Sequence, residues 1–269
     1  MYPVCTNAVS NSTLQRTGGS RCSPHRPLSA HPSSGQGRSR VTERNHVYEL
    51  KLSLLGLSPS IWRSIQVPKA YSFWDLHVAL QDAMGWLDYH LHVFRVANPD
   101  TGEAVQIGIP DEDALEGDES ILPGWKIPIA PYFLRPGVVA QYEYDFGDGW
   151  EHDLTLEAIR PRQPGQNYPL CVGGARACPP EDCGGVGGYE NLLTVIRTPT
   201  HEEYESTLRW LGGRFDPEKF DPKRVKFDDP ARRYELAFET PSRRRHRTRR
   251  ATRPDNTRLQ RSRASRARR

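Results

Sequence analysis

The sequence predicts an α+β domain: a roll-like, mostly antiparallel sheet of hairpins covered by helices, flanked by disordered tails. Three observations predict it. Apolar residues alternate with period two in paired runs separated by turn residues. Strands and helices come in groups instead of strict strand–helix–strand alternation. Composition and charge shift abruptly near residues 45 and 241, which bounds a leader at 1–44, a domain at 45–241 and a tail at 242–269.

The elements follow in chain order. Tyr48, Leu50, Leu52 and Leu54 alternate with Glu49, Lys51 and Ser53, the pattern of a half-buried strand. Gly56-Leu-Ser-Pro59 supplies a turn, and Ile61, Ile65 and Val67 form the return strand, stopped by Pro68. Ser72 is an N-cap candidate for a helix over 73–84, with Phe73, Leu76, Leu80 and Met84 on one stripe and Gly85 as its stop. His90, His92, Phe94 and Val96 share one face of a third strand. Residues 98–131 read as irregular. Tyr142, Tyr144 and Phe146, then Trp150, His152, Leu154 and Leu156, form a second hairpin around Gly147-Asp-Gly149, whose residues tolerate positive φ. Helices follow over Tyr189–Ile196 and His201–Leu211, ended by Gly212-Gly213, and one or two short turns fall within 216–229.

Charge is divided sharply. Residues 242–269 hold 13 Arg and one acid, and residues 1–44 hold six Arg and one acid. Against a net charge of +4, that leaves −13 on residues 45–241. An acidic domain repels phosphate backbones over a Debye length of about 8–10 Å. Nucleic-acid attraction therefore belongs to Arg243–Arg269, through counterion release without sequence readout. The blander account is a solvated extension without a dedicated partner.

The sequence lacks the ~18 consecutive apolar residues that a membrane helix needs. The acid-free stretch 1–42 superficially suits a transit peptide, but a disordered leader explains it more simply. The expected location is cytoplasmic. Five cysteines, without an apolar signal segment, argue against a disulfide scaffold.

Chemistry concentrates between residues 142 and 193. Cys171, Cys178 and Cys183, with His152 or His92 as a fourth ligand, suit a zinc site in residue type. Their x6 and x4 spacings miss the tight Cys-x2-Cys knuckle, and small thiols packed under a Pro/Gly-rich loop are the alternative. The acids Asp145, Asp148, Glu151, Asp153, Glu181 and Asp182 have the chemistry to hold magnesium or manganese for phosphoryl reactions. A solvated sheet face would look the same. Asp145, Asp148, His152, Glu181 and Asp182 are the candidate catalytic residues. His152 lies on the apolar face, where a core histidine is the plainer reading than a ligand or general base. Gly184-Gly-Val-Gly-Gly188 opens a helix without matching a phosphate-loop or dinucleotide signature. Hydrolase, zinc-protease and kinase signatures do not occur.

Several segments together resemble one known family. They are Ile61-Trp-Arg-Ser-Ile-Gln-Val-Pro68, Phe73-Trp-Asp-Leu-His-Val-Ala-Leu-Gln-Asp-Ala-Met-Gly-Trp86, Tyr144-Asp-Phe-Gly-Asp-Gly-Trp-Glu-His152 and Ala177-Cys-Pro-Pro-Glu-Asp-Cys-Gly-Gly185. In that order they are similar to the Ri-plasmid Orf-three-like domain family, whose members are also described as insertion-element passenger proteins. The resemblance spans residues 46–240 and implies an α+β roll; it implies no assigned activity. With the missing catalytic motif and the basic tail against an acidic domain, the expectation is a non-catalytic binding or accessory module of a plasmid or mobile-element family. The alternative is a metal-dependent hydrolase or nuclease built on the hairpin acids and the 178–183 loop.

Overall fold

The computed structural model describes residues 45–110 and 121–238. The predicted leader, the Arg-rich tail and the acids Asp111–Glu119 lie outside those residues. Eight strands form one sheet in the order β5-β4-β3-β6-β7-β1-β2-β8. Every pairing is antiparallel except β4 with β5. The expected α+β, mostly antiparallel architecture is the observed one.

The first hairpin pairs β1 (His46–Leu54) with β2 (Trp62–Pro68). Tyr48, Leu50, Leu52 and Leu54 point inward, as the alternation requires. Helix α1 (Phe73–Met84) begins in a capping box: the Ser72 hydroxyl accepts from Asp75 N, and the Asp75 carboxylate accepts from Ser72 N. Gly85 closes the helix in the left-handed conformation at φ 97°. Phe73, Leu76 and Leu80 are fully buried against the sheet, each contributing about 1.5–3 kcal/mol relative to exposure.

Strand β3 (His92–Ala97) starts two residues later than the alternation suggested, so His92, Phe94 and Val96 face the core while His90 stands outside the strand. The stretch expected to be irregular contains β4 (Ala104–Gly108) and the two-residue β5 (Leu122–Pro123). Strands β6 (Val139–Tyr144) and β7 (Trp150–Pro161) form the second hairpin. Phe146 departs from expectation. It is 47% exposed, because the chain leaves the strand at Asp145, which takes a left-handed φ of 57°. The Cys/Gly loop holds an edge strand, β8 (Leu170–Ala175), which pairs with β2. Helix α2 (Gly185–Arg197) begins one turn before Tyr189, and α3 (Tyr204–Trp210) follows. A further helix, α4 (Pro230–Phe238), has no counterpart in the sequence reading.

Helix α4 docks on α1. Trp74 Nε1 donates to the Pro230 carbonyl at 3.0 Å. Arg233 reaches Asp82 at 2.7 Å and Asp88 at 3.6 Å, and also pairs with Asp228. Beneath this contact lies a buried polar file. The His77 and His92 rings stack with centroids 3.4 Å apart and planes 9° apart. His77 Nε2 donates to Asp88 at 2.8 Å, which leaves Nδ1 to accept from the Tyr142 hydroxyl at 2.9 Å. Gln81 Nε2 also donates to that hydroxyl. Both His92 ring nitrogens are buried without a hydrogen-bond partner.

Two predictions follow from this packing. Replacing Arg233 by Ala leaves Asp82 and Asp88 enclosed without their guanidinium, so equilibrium denaturation should show a loss of about 3 kcal/mol. Burial holds the His92 imidazole well below its ordinary pKa and His152 down to about 4. The unfolded chain binds those protons below pH ~6.5, so stability is full above that value and falls on acidification toward pH 4. Denaturation from pH 7.5 to 4.5 should show that slope, and His152→Leu should flatten it by up to about 3 kcal/mol.

Candidate functional site

The β6–β7 turn, the segment after α1 and the 178–185 loop meet at one polar corner. Asp145 is 6% exposed, and its Oδ1 accepts from Gly147 N at 3.0 Å and Asp148 N at 3.3 Å. Its backbone N–H donates to the Leu91 carbonyl, and its carbonyl accepts from Gly149 N. These bonds hold a conformation that is unfavourable for most residues and tolerated by Asp. They leave Oδ2 3.5 Å from His90 Nε2. On the other side, Asp182 Oδ1 stands 3.0 Å from the same nitrogen. Asp182 is also left-handed, at φ 55°, and its side chain is 67% exposed.

Neighbouring groups fix this corner. Glu181 Oε1 accepts from Leu87 N at 2.7 Å and from the Tyr144 hydroxyl at 3.1 Å. Burial raises the Glu181 carboxyl above its ordinary pKa, and burial beside Glu181 raises the Tyr144 phenol. Asp148 Oδ2 accepts from Gly184 N at 3.1 Å, tying the turn to the start of α2. The glycines at that start answer to close contact. A Cβ on Gly188 would collide with the Cys183 carbonyl, and one on Gly185 with the Asp148 carbonyl. Beside the corner, a cavity of about 350 Å³ is lined by Asp182, Cys183, Leu192, Glu203 and Trp210.

The predicted residues divide into two sets. Asp145, Asp148, Glu181 and Asp182 gather here, whereas Glu151 stays on the exposed face of β7. His152 does not join them. It is fully buried on β7, its Nδ1–H donating to the Tyr142 carbonyl at 3.1 Å and its ring against Trp86. His90 takes the place expected of His152. The alternation assigned His90 to a strand face, and only the late start of β3 frees it to meet the acids.

Among the described residues, His90, Asp145 and Asp182 are the one group of three His, Cys, Asp or Glu whose ligand atoms all lie within 4.8 Å of one another. The three cysteines and His152 do not form such a group. Cys171 lies on β8 and His152 on β7, three strand spacings apart in the sheet, about 14 Å. Ligands of one zinc ion stand within ~4 Å of each other, so these two cannot share it. Burial raises all three thiols, Cys183 to about 12, and the nearby Arg63 guanidinium only partly offsets this at Cys171 and Cys178. His92, the other imidazole considered for zinc, is enclosed by His77, Trp74, Phe94 and Tyr142.

Comparisons with known proteins bear on identity. The family described as plasmid pRiA4b ORF-3-like protein matches residues 46–224. The uncharacterized protein y4hQ of Sinorhizobium fredii is 34% identical over 167 residues, covering 62% of this chain and 81% of that protein. The crystal structure of the protein of unknown function MM3350 from Methanosarcina mazei Go1 aligns with a TM-score of 0.62 and 50% identity. That alignment covers 68% of this chain and 99% of the other.

The corner depends on close packing at the start of α2. Gly188→Ala should therefore lower stability by more than about 2 kcal/mol in thermal or chemical unfolding, whereas Gly187→Ala, which meets nothing within 4 Å, should cost little.

Proposed function

The chain belongs to the plasmid pRiA4b ORF-3-like protein family, and we propose that it acts as a cation-binding accessory module. In this reading the acidic domain holds a divalent ion at His90, Asp145 and Asp182. The Arg-rich segment 242–269 adds nonspecific attraction to nucleic acid. The observation that carries the reading is the convergence of one imidazole and two carboxylate oxygens within 4.8 Å. Two carboxylates favour a hard or borderline ion such as magnesium, manganese or zinc, and one imidazole is compatible with the latter two. Asp145 is buried and pre-set by its turn, while Asp182 is exposed, so one ligand is fixed and the other faces water. Further acids at Asp148 and Glu181 leave the corner rich in negative charge, which a bound cation would relieve.

Titration of the full-length protein with manganese, followed by electron paramagnetic resonance and calorimetry, tests this. One saturable site is expected, weakened at least tenfold by Asp145→Asn or Asp182→Asn. Unchanged affinity in both variants would remove the site. Deleting residues 242–269 should abolish DNA and RNA retention at low salt; retention equal to that of the full chain would place the attraction elsewhere.

One observation favours a second reading, a metal-dependent hydrolase. Glu181 immediately precedes Asp182 and is held in place by the Leu87 N–H and the Tyr144 hydroxyl, and a carboxyl positioned beside a metal is suited to general acid–base work. Under that reading, manganese-loaded protein cleaves an activated phosphodiester. Glu181→Gln would then lose turnover while still binding the ion.

A further inference from the structure

The cavity beside the polar corner is a groove between α2 and α3. Leu192 and Val195, buried on α2, give it an apolar wall, and Trp210, the last residue of α3, supplies an aromatic one. Trp210 is 52% exposed, and among the described residues no ring, cation or side-chain hydrogen bond engages its indole. Two carboxylates line the same groove, and no Lys, Arg or His side chain does. Asp182 meets only His90. The Glu203 carboxylate is unpaired among the described residues, because the bonds of Glu203 run through its backbone, to His201, Ser206 and Thr207. Glu203 and Trp210 stand two helical turns apart, so they share one face of α3 at a spacing of about 10 Å.

The chain carries a complement to this groove outside the described residues. Segment 242–269 holds 13 Arg, one acid and no Lys, against −13 on residues 45–241. A guanidinium suits the groove better than an ammonium: its plane stacks on an indole, and its fork takes a carboxylate. Arg261 with Arg263, and Arg266 with Arg268, stand at alternate positions, which an extended segment turns to one side about 7 Å apart. The described chain ends at Phe238, and the stretch from there to Arg261 spans up to about 75 Å. A domain of this length is about 40 Å across, so the segment reaches the groove from any point of departure. We propose that the groove is the docking site of the chain's own segment 242–269, with one arginine over Trp210 and others paired with Glu203 and Asp182. Each such contact is weak alone, but tethering within one chain sets an effective concentration on the order of millimolar and makes weak contacts sufficient. The inference deepens the proposed function and rests on it in one respect: a docked segment is withheld from nucleic acid, so the domain restrains the attraction that its own tail supplies.

The test compares the full-length protein with a chain ending at Pro241. Both are held at low ionic strength with a chelator, so the outcome does not depend on whether His90, Asp145 and Asp182 hold an ion. Indole N–H signals are followed by proton–nitrogen correlation spectroscopy, that of Trp210 being identified by its loss in Trp210→Phe. The Trp210 signal should differ between the two chains, move to the truncated position at high salt and stay in place on dilution, while the signal of buried Trp150 is unmoved. Glu203→Gln in the full chain should move the Trp210 signal toward the truncated position, whereas Glu157→Gln, at an exposed acid on β7, should not. Trp210→Ala should tighten retention of single-stranded DNA by the full chain about two- to fivefold at low salt. An identical Trp210 signal in the two chains, or equal effects of Glu203→Gln and Glu157→Gln, would overturn the proposal. A signal that changes with protein concentration would assign the occupant to a second copy and overturn it as well. Unchanged DNA retention in Trp210→Ala would remove the restraint. Loss of DNA retention in every form would sink the nucleic-acid reading alone, because the indole comparison decides docking without nucleic acid.

Discussion

The left-handed turn at Asp145 is the constraint on which the polar corner depends. One carboxylate oxygen caps two backbone N–H groups of the turn, so the other is left pointing at His90. The same twist ends β6 and sends Phe146 outward instead of into the core. It also sets Asp148 within reach of Gly184, which registers the start of α2 against the hairpin. Strain of order 1–3 kcal/mol at such a residue persists only when its surroundings over-determine it. Here four hydrogen bonds do so, two to the side chain and two to the backbone.

A second constraint is the cost of burying polar groups beneath α1. Tyr142, His77, Asp88 and the Gln81 amide nitrogen bond one another in a chain, while the Gln81 Oε1 and both nitrogens of the stacked His92 ring remain without hydrogen-bond partners among the described residues. Asp88 is held from both sides, by His77 within and by Arg233 from α4. The C-terminal helix is therefore part of the electrostatic balance of the core and not an appendage to it. Arg63 solves a similar problem differently. Its guanidinium is buried without a carboxylate, held by the Ala83, Trp62 and Ala175 carbonyls and stacked 3.7 Å over Phe220.

The sequence displayed its hairpins and α1 clearly because alternation, a capping serine and a terminal glycine are local signals. Tyr48 to Leu54 and Ser72 to Gly85 needed no distant partner to be read. β8 was hidden because Gly173 and Gly174 lack the side chains that make alternation visible, and its pairing with β2 is long-range. α4 was hidden because its apolar residues, Tyr234 and Phe238, face a partner on α1 instead of forming a long stripe. In the polar corner, Asp145, Asp148, Glu181 and Asp182 could be named from composition and clustering. His90 could be separated from His92 only by knowing where β3 begins, and His152 stood as both core residue and candidate ligand because the two look alike in one dimension. Positive φ at two aspartates is a tertiary fact that a propensity for Asp in turns only hints at.

The two edges of the sheet carry a consequence for self-association. One edge ends in β5, two residues long and closed by Pro123, which has no N–H to offer a further strand. The other, β8, is overlaid near its end by the segment around Phe220: the Phe220 ring lies against Gly174, and just past the strand the Ala177 N–H donates to the Pro217 carbonyl. A twisted sheet of eight strands would otherwise present two long rows of unsatisfied backbone groups, the template on which fibrils grow. Shortening one edge and overlaying part of the other reduces the backbone groups that the described sheet offers to a further strand.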